Sequence, residues 1–134
     1  MDNILALLPL DKCDTERAEA LVELGYPSVA PIIPELLVWM QDLNWPVAQV
    51  LAPMLSKIGL PLLPELRKIM ATDDYTWQYW VLGVTVAYSR DLAVAMRPDL
   101  HRLATAATPL ECQDWLDIRA REILATLDAD QRLL

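Results

Sequence analysis

Apolar residues recur at helical spacing along most of the chain, and no long stretch alternates apolar and polar residues as a strand would. In the first such segment Ala18, Leu21, Val22 and Gly25 follow the i, i+3, i+4, i+7 spacing of one helical face. This spacing predicts a helix over residues 14–24, capped by residue 14 or 15 and ended by Gly25.

The same reasoning predicts a series of further helices. Segments 45–58 and 75–89 are apolar on nearly all sides, which is typical of helices buried between two others. Asn44, and one of Asp73 and Asp74, are in position to cap them. The predicted helices after the first are 29–43, 45–58 (ended by Gly59), one opening at Pro61 and Pro64, 75–89, about 98–106, and 109–127.

Two residues inside the predicted interior helices suggest local departures. Pro53 has no amide N–H, so it frees the carbonyl of Gln49 and is expected to kink its helix. Gly83 lies on one face with Thr76 and Ala87, and is expected to let a neighbouring backbone approach closely.

A seven-residue opening appears three times: PELLVWM at 34–40, PELRKIM at 64–70 and PDLHRLA at 98–104. Each copy begins an amphipathic helix, and a helix marked by tryptophan (Trp45, Trp77 or Trp115) follows it. One helical hairpin cannot bury both of its faces, so stacked hairpins are expected. The sequence therefore predicts one all-α domain over 1–134, a short right-handed HEAT-like solenoid with more than 60% helix.

Several short motifs resemble a known family. They are LPLDKCD at 8–14, LGYP at 24–27 and P-x-x-PELL-x-W-x-QD-x-NWPVA at 31–48. They are similar to a small bacterial family known only as a domain of unknown function, over roughly residues 4–90. The resemblance implies HEAT-type helical repeats, and it brings no established activity. HEAT repeats usually run about 40–47 residues, whereas the spacings here are 30 and 34.

Charge narrows the class of partner. The net charge is −8, and residues 1–45 carry eight acidic against two basic residues. Phosphate binding needs clustered Lys and Arg, so neither nucleic acid nor an anionic membrane is expected, and a basic protein partner is favoured. No apolar run reaches the roughly 18 residues of a membrane span, and no export signal is recognised. Cys13 and Cys112 are therefore expected to be reduced thiols of a cytoplasmic protein.

Candidate catalytic groups are sparse. His101 occupies the position of Arg67 in the preceding repeat, which indicates a surface site, and no spacing is typical of metal ligands or phosphate loops. No catalytic residue, metal or cofactor is predicted. Asp73 with Asp74 could do acid–base work, but helix capping is the simpler interpretation. Glu111, Asp114 and Asp117 form a similar group, in which Asp117 has an i, i+4 partner in Arg121.

The aromatic residues carry a stronger signal. Five tryptophans and four tyrosines occur without phenylalanine, and both types are enriched at interfaces. Trp80 and Trp115 are interpreted as core residues. Trp39 flanks an apolar stripe, beside Glu35 and Asp42, and the corners QDLNW and TDDYTW are expected side by side. The predicted partner-binding residues are Glu35, Trp39, Asp42, Asn44, Trp45, Asp73, Asp74, Tyr75 and Trp77. The alternative is that they only cap and pack helices.

These observations favour a protein-interaction module without catalytic activity. The most concrete hypothesis is an immunity or antitoxin-like protein that neutralises a basic toxin domain. A regulatory scaffold subunit is the alternative within this class, and a carboxylate-dependent hydrolase using Asp73 and Asp74 is the alternative outside it. The sequence leaves the partner and the oligomeric state open.

Overall fold

The computed structural model describes the backbone of residues 3–132 and the side chains of residues 3–129. That part of the chain is 76% helical and contains no strand, which confirms the predicted all-α class. Its α-helices are α1 (Thr15–Leu24), α2 (Ile33–Val38), α3 (Pro46–Ile58), α4 (Leu63–Met70), α5 (Tyr75–Val81), α6 (Arg90–Ala95), α7 (Arg97–Ala106), α8 (Pro109–Gln113) and α9 (Leu116–Arg132).

The three repeated openings begin helices at the same position. Pro34, Pro64 and Pro98 are the second residues of α2, α4 and α7, where a missing amide N–H breaks no intrahelical bond. In the first two copies a 3₁₀ turn with a central proline precedes the helix, Ala30–Ile32 or Leu60–Leu62. The openings predicted from the repeat are confirmed as helix starts.

Glycine and aspartate set several of the other predicted boundaries. Gly25 and Gly59 end α1 and α3 with φ of 65° and 71°, a conformation that side chains with a Cβ rarely adopt. Asp14 and Asp74 accept backbone N–H groups of the first turns of α1 and α5. These residues confirm the predicted ends of α1 and α3 and the predicted starts of α1 and α5.

The helix predicted over residues 29–43 is broken into pieces. After α2 the chain tightens into a 3₁₀ turn, Trp39–Gln41, and then becomes extended at Asp42 (φ −153°). Asn44 does not cap α3, because its backbone N–H donates to Asp42 Oδ1 at 2.8 Å and Trp45 occupies the cap position. The predicted continuous helix and the predicted asparagine cap were therefore wrong.

The helix predicted over 75–89 also changes form. It leaves the α conformation after Val81 and continues as a π-helical segment, Leu82–Val86. Ser89 is extended and its hydroxyl accepts the N–H of Leu92 at 3.4 Å, which starts α6, a helix that the sequence interpretation missed. Ser89 is the residue that could have signalled this new start.

The space beside Gly83 is filled by a side chain, whereas the sequence predicted the close approach of a neighbouring backbone. A Cβ at this position would lie 2.7 Å from Cζ of Arg119. The Arg119 guanidinium also lies over the ring of Tyr79, with 4.3 Å from Cζ to the ring centroid. The missing Cβ of Gly83 therefore lets α9 attach to α5 and the π-helical segment through a cation–π contact.

The core joins neighbouring elements along the chain. Helix α1 packs against α3, α3 against the π-helical segment, α5 against Trp39–Gln41, and α7 against α9. The last pair is also held by Arg97–Asp128 at 3.3 Å and by Arg121 Nε donating to Ala104 O at 3.2 Å. All four packings bury apolar faces that no single short helix could bury alone.

Helix α3 is less enclosed than its composition predicted. Leu51 is fully buried as expected, but Pro46, Gln49, Pro53 and Lys57 form an exposed stripe along one side. Val84, expected to be buried on the neighbouring helix, is only half-buried. The prediction of a helix covered on all sides was wrong for this stripe.

No single helix within residues 3–132 is both long enough and apolar enough to cross a membrane. One pair, Pro46–Ile58 with Leu60–Met70, meets those criteria only when the two are taken together, and it is bent by 107° at its break.

The final helix predicted over 109–127 is two helices with Trp115 at the break. Trp115 has φ of 63°, and it is 61% exposed rather than a core residue as expected. Its backbone N–H donates to Cys112 O at 3.1 Å and its carbonyl accepts the N–H of Arg119 at 3.0 Å. The hydrogen bonds of α8 and α9 thus hold this residue in the left-handed region.

We expect Leu51→Ala to lower the free energy of unfolding by about 2–5 kcal/mol, because the substitution leaves a cavity at a fully buried site. Urea denaturation measures the change. Glu19→Ala, at an exposed position of α1, is the control and should cost about 0.5 kcal/mol or less. Equal midpoints for Leu51→Ala and the wild type would contradict the packing described for α3.

A pair of substitutions at Trp115 isolates the backbone conformation. Trp115→Gly and Trp115→Ala both remove the exposed ring, but only alanine keeps a Cβ at φ 63°. We expect the glycine variant to be more stable than the alanine variant by about 1 kcal/mol. Chemical denaturation of the two proteins checks the order, and an alanine variant at least as stable as the glycine variant would contradict it.

Candidate functional site

The nine predicted partner-binding residues lie on two segments that the fold brings together. Helix α5 packs against Trp39–Gln41, so the corner around Asp42 and the corner around Asp74 are neighbours, as the sequence predicted. We call the nine residues the acidic–aromatic corner. Its members are Glu35, Asn44, Asp73 and Asp74, which are exposed, and Trp39, Asp42, Trp45, Tyr75 and Trp77, which are half-buried.

Two tryptophans of the acidic–aromatic corner pack on each other. The ring centroids of Trp39 and Trp45 lie 5.8 Å apart at an interplanar angle of 81°, an edge-to-face arrangement. Both rings also contact the core while part of each remains open to solvent. The pair therefore presents aromatic surface that loses little side-chain freedom when a partner covers it.

Trp77 ties the second segment to the first. Its indole Nε1 donates to the carbonyl of Leu37 at 2.9 Å, and its backbone N–H donates to Asp74 Oδ1 at 3.0 Å. Leu37 lies in the last turn of α2, where its carbonyl also accepts the backbone N–H of Trp39. The indole bond adds a donor from α5 to that carbonyl and so links α2 to α5.

The carboxylates of the acidic–aromatic corner divide into two kinds. Asp42 accepts the N–H of Asn44, and Asp74 caps α5, so both support local backbone structure. The side chains of Glu35 and Asp73 are exposed and make no hydrogen bond or ion pair within residues 3–129. Only these last two are free to contact another molecule without loss of an internal bond. The capping role of Asp74 favours the structural interpretation of the Asp73–Asp74 pair.

A small apolar groove lies beside these carboxylates. It has a volume of about 210 Å³ and is lined in part by Leu37, Val38, Ile69 and Trp77. It is also lined by the Glu65–Lys68 ion pair and by residues 34 and 72, the chain neighbours of the two free carboxylates. The sequence interpretation missed Val38, which is 44% exposed. The sequence did contain a signal for this residue, because Val38 is apolar and lies outside the apolar stripe that Trp39 flanks.

Glu111, a candidate acid–base group, is held in a structural role. Its carboxylate accepts two hydrogen bonds from Arg102, at 3.0 and 2.7 Å, and one from the backbone N–H of Thr108 at 2.9 Å. The two bonds from Arg102, followed by the bond from Thr108, lower the pKa of Glu111 to about 2 despite its burial. The same pair raises the pKa of Arg102. Glu111 is therefore ionised at neutral pH and committed to the start of α8.

The remaining candidate catalytic residues either make structural contacts or lie away from the acidic–aromatic corner. Asp114 Oδ1 lies 3.4 Å from the Thr76 hydroxyl, and Asp117 pairs with Arg121 at 3.6 Å. His101 is exposed on α7, as expected. Among the described side chains, no three His, Cys, Asp or Glu residues converge in a way that could hold a metal ion.

The Glu111–Arg102 pair should make stability depend on pH. The pKa of Glu111 in the folded protein lies below the usual value of 4.5. The stabilisation that the ion pair gives to the fold is therefore fully present above about pH 4.5 and is lost as pH falls towards 2. We expect Glu111→Gln, which keeps the capping geometry, to cost about 1–2 kcal/mol at neutral pH, a value reduced for the exposure of Arg102. The difference from the wild type should vanish near pH 2.

Urea denaturation between pH 2 and pH 7 measures this difference. Glu65→Gln is the control, because Glu65 pairs with an exposed lysine, Lys68, at 3.0 Å and should cost about 0.5 kcal/mol or less. A cost for Glu111→Gln that is the same at both ends of the pH range would contradict the assigned ion pair.

Within residues 3–132 the fold is all-helical with prolines at repeated helix starts, and the acidic–aromatic corner is a partly exposed surface of carboxylates and tryptophans. The chain belongs to the family described as Domain of unknown function (DUF5071), which matches residues 7–124. The match includes every residue of the acidic–aromatic corner and extends beyond the motifs at 8–48 into α9. A comparison with curated proteins finds no match.

Proposed function

We propose that this protein is an interaction module without catalytic activity, and that the acidic–aromatic corner binds a basic protein. The observation that carries the proposal is the juxtaposition of two free carboxylates, Glu35 and Asp73, with half-buried tryptophans and an apolar groove. Such a combination supplies both long-range attraction and contact area that releases water.

The two kinds of residue act at different stages of binding. The free carboxylates of Glu35 and Asp73 attract a basic partner over about 8 Å at physiological salt, and so act mainly on the association rate. The Trp39–Trp45 pair acts by contact and so acts on dissociation. The groove of about 210 Å³ has room for a single apolar side chain flanked by basic residues of the partner.

We infer that the helices stack as a short, right-handed HEAT-like solenoid. The support is the identical placement of Pro34, Pro64 and Pro98 at the second residue of a helix. Helices that follow these openings, α3, α5 and α9, pack in part against the π-helical segment that continues α5. A solenoid would give a short chain an extended surface, which suits protein binding.

Within this class the most concrete candidate is an immunity or antitoxin-like protein in the cytoplasm that covers a basic toxin domain. Its support is the net charge of −8 together with the concentration of acidic residues in the first third of the chain. A regulatory scaffold subunit would use the same surface, and identification of the partner separates the two.

Charge reversal at the acidic–aromatic corner should weaken the binding of the basic partner. We expect immobilised wild-type protein to retain a basic protein from a lysate of the native cell, and Glu35→Lys with Asp73→Lys to retain it weakly. The control is Glu19→Lys with Glu23→Lys on α1, which changes the net charge equally at exposed positions. Quantitative mass spectrometry of the retained proteins measures the difference.

Truncation of Trp39 tests the contact stage with the partner so identified. We expect Trp39→Ala to raise the dissociation constant about 30-fold, near 2 kcal/mol, with little dependence on salt. Trp39→Phe should restore part of the affinity, and thermal melts confirm folding. Equal losses for both charge-reversed proteins, or wild-type binding by a folded Trp39→Ala protein, would place the binding surface elsewhere.

A further inference from the structure

A second surface, on α3, is apolar and open. Two grooves flank the exposed stripe of α3, one of about 460 Å³ towards the end of α1 and one of about 330 Å³ towards the π-helical segment. Pro53 lines both grooves, so they form one surface that crosses the helix. We call it the α3 face; its principal residues are Tyr26, Val50, Pro53, Lys57, Val84 and Tyr88.

The α3 face exposes large side chains that the core does not need. Tyr88 is 76% exposed on one side of the helix and Tyr26 is 48% exposed on the other. Val50 and Val84 are half-buried between them. Tyrosines around an apolar centre are typical of protein interfaces rather than of a solvated helix edge.

Charge is depleted on the α3 face. The chain has 30 charged residues in 134, 19 acidic and 11 basic. Among the residues that line the two grooves, only Lys57 is charged. An acidic protein that kept this surface in water would be expected to place carboxylates on it. The depletion matches the centre of an interface, and it also removes the like-charge repulsion that opposes self-association at −8.

The helix itself offers a self-complementary pair. Because Pro53 lacks an N–H, the carbonyl of Gln49 has no donor one turn ahead. Lys57 lies one turn beyond Pro53 on the same exposed stripe, and its ammonium group carries three donors. Gln49 and Lys57 are each four residues from Pro53. A two-fold axis through Pro53 would therefore place Lys57 of each copy at Gln49 of the other.

We propose that the α3 face binds a second copy of this chain, with two α3 helices crossing antiparallel at Pro53. The arrangement is isologous, so every contact forms twice. Each Lys57 donates to the partner's Gln49 carbonyl, the one that Pro53 deprives of its usual helical donor. The exposed stripe of each α3 packs against a groove of the other copy, and Tyr26 and Tyr88 close the two edges. This surface shares no residue with the acidic–aromatic corner, which it adjoins at Leu43, and the proposal does not rest on the function proposed for the corner.

Sedimentation equilibrium of the full chain measures the proposed dimer. We expect a concentration-dependent mass that approaches twice the 15.2 kDa of the chain. Tyr88→Glu should raise the dimer dissociation constant at least about tenfold, because it places a carboxylate in each copy of the contact. The matched control is Leu10→Glu, which adds the same charge at a 79% exposed position away from the α3 face, and it should dimerise like the wild type.

A second variant tests the polar pair without adding a bulky group to the fold. Lys57→Met keeps the apolar stem and removes the donors, so it should weaken dimerisation several-fold. Lys68→Met, on α4, is its control and should have no effect. The proposal is overturned if the wild type is monomeric at about 1 mM, even where the α3 face retains a different protein. It is also overturned if folded Tyr88→Glu or Lys57→Met protein dimerises like the wild type.

Discussion

Proline has no amide hydrogen, and this single constraint organises the chain. In the first turn of a helix the missing donor costs nothing, because that N–H has no intrahelical acceptor. The repeated Pro34, Pro64 and Pro98 therefore set where α2, α4 and α7 begin. Once those starts are fixed, the apolar residues that follow lie on the inner faces of the same helices. Pro53 is the exception inside a helix, and it coincides with the open stripe of α3.

The sequence was most predictive where one residue type has few permitted conformations. Gly25 and Gly59 end helices because their positive φ excludes most other residues, and the proline starts follow from the same logic. It was least predictive where distant contacts override local preference. Trp115 has no intrinsic tendency towards φ 63°, and only the joint hydrogen bonding of α8 and α9 holds it there. The π-helical segment likewise contains a contact that local sequence does not reveal, the packing of Arg119 over Gly83 from 36 positions away along the chain.

At the candidate site, the sequence pattern predicted which residues lie near each other, but the role of each carboxylate could be assigned only from the structure. Helical periodicity placed Glu35, Trp39 and Asp42 on one side of a helix, although that helix is broken by a 3₁₀ turn. It could not separate carboxylates that support backbone N–H groups, such as Asp42 and Asp74, from those that remain free. That separation depends on the extended conformation at residue 42 and on the exact residue that starts α5. Hydrogen bonds of this kind follow from backbone angles, which composition does not determine.

Hydropathy fails in a different way on α3. A run of apolar residues on all sides of a helix indicates burial, but it does not say what buries each side. Val47, Leu51 and Leu55 are covered by this chain, whereas Val50 and Pro53 meet open grooves. The free energy of transfer from water is similar for either kind of apolar side chain. A helix can therefore be apolar all round because one chain encloses it or because two molecules do, and the depletion of charge on the open side favours the second explanation here.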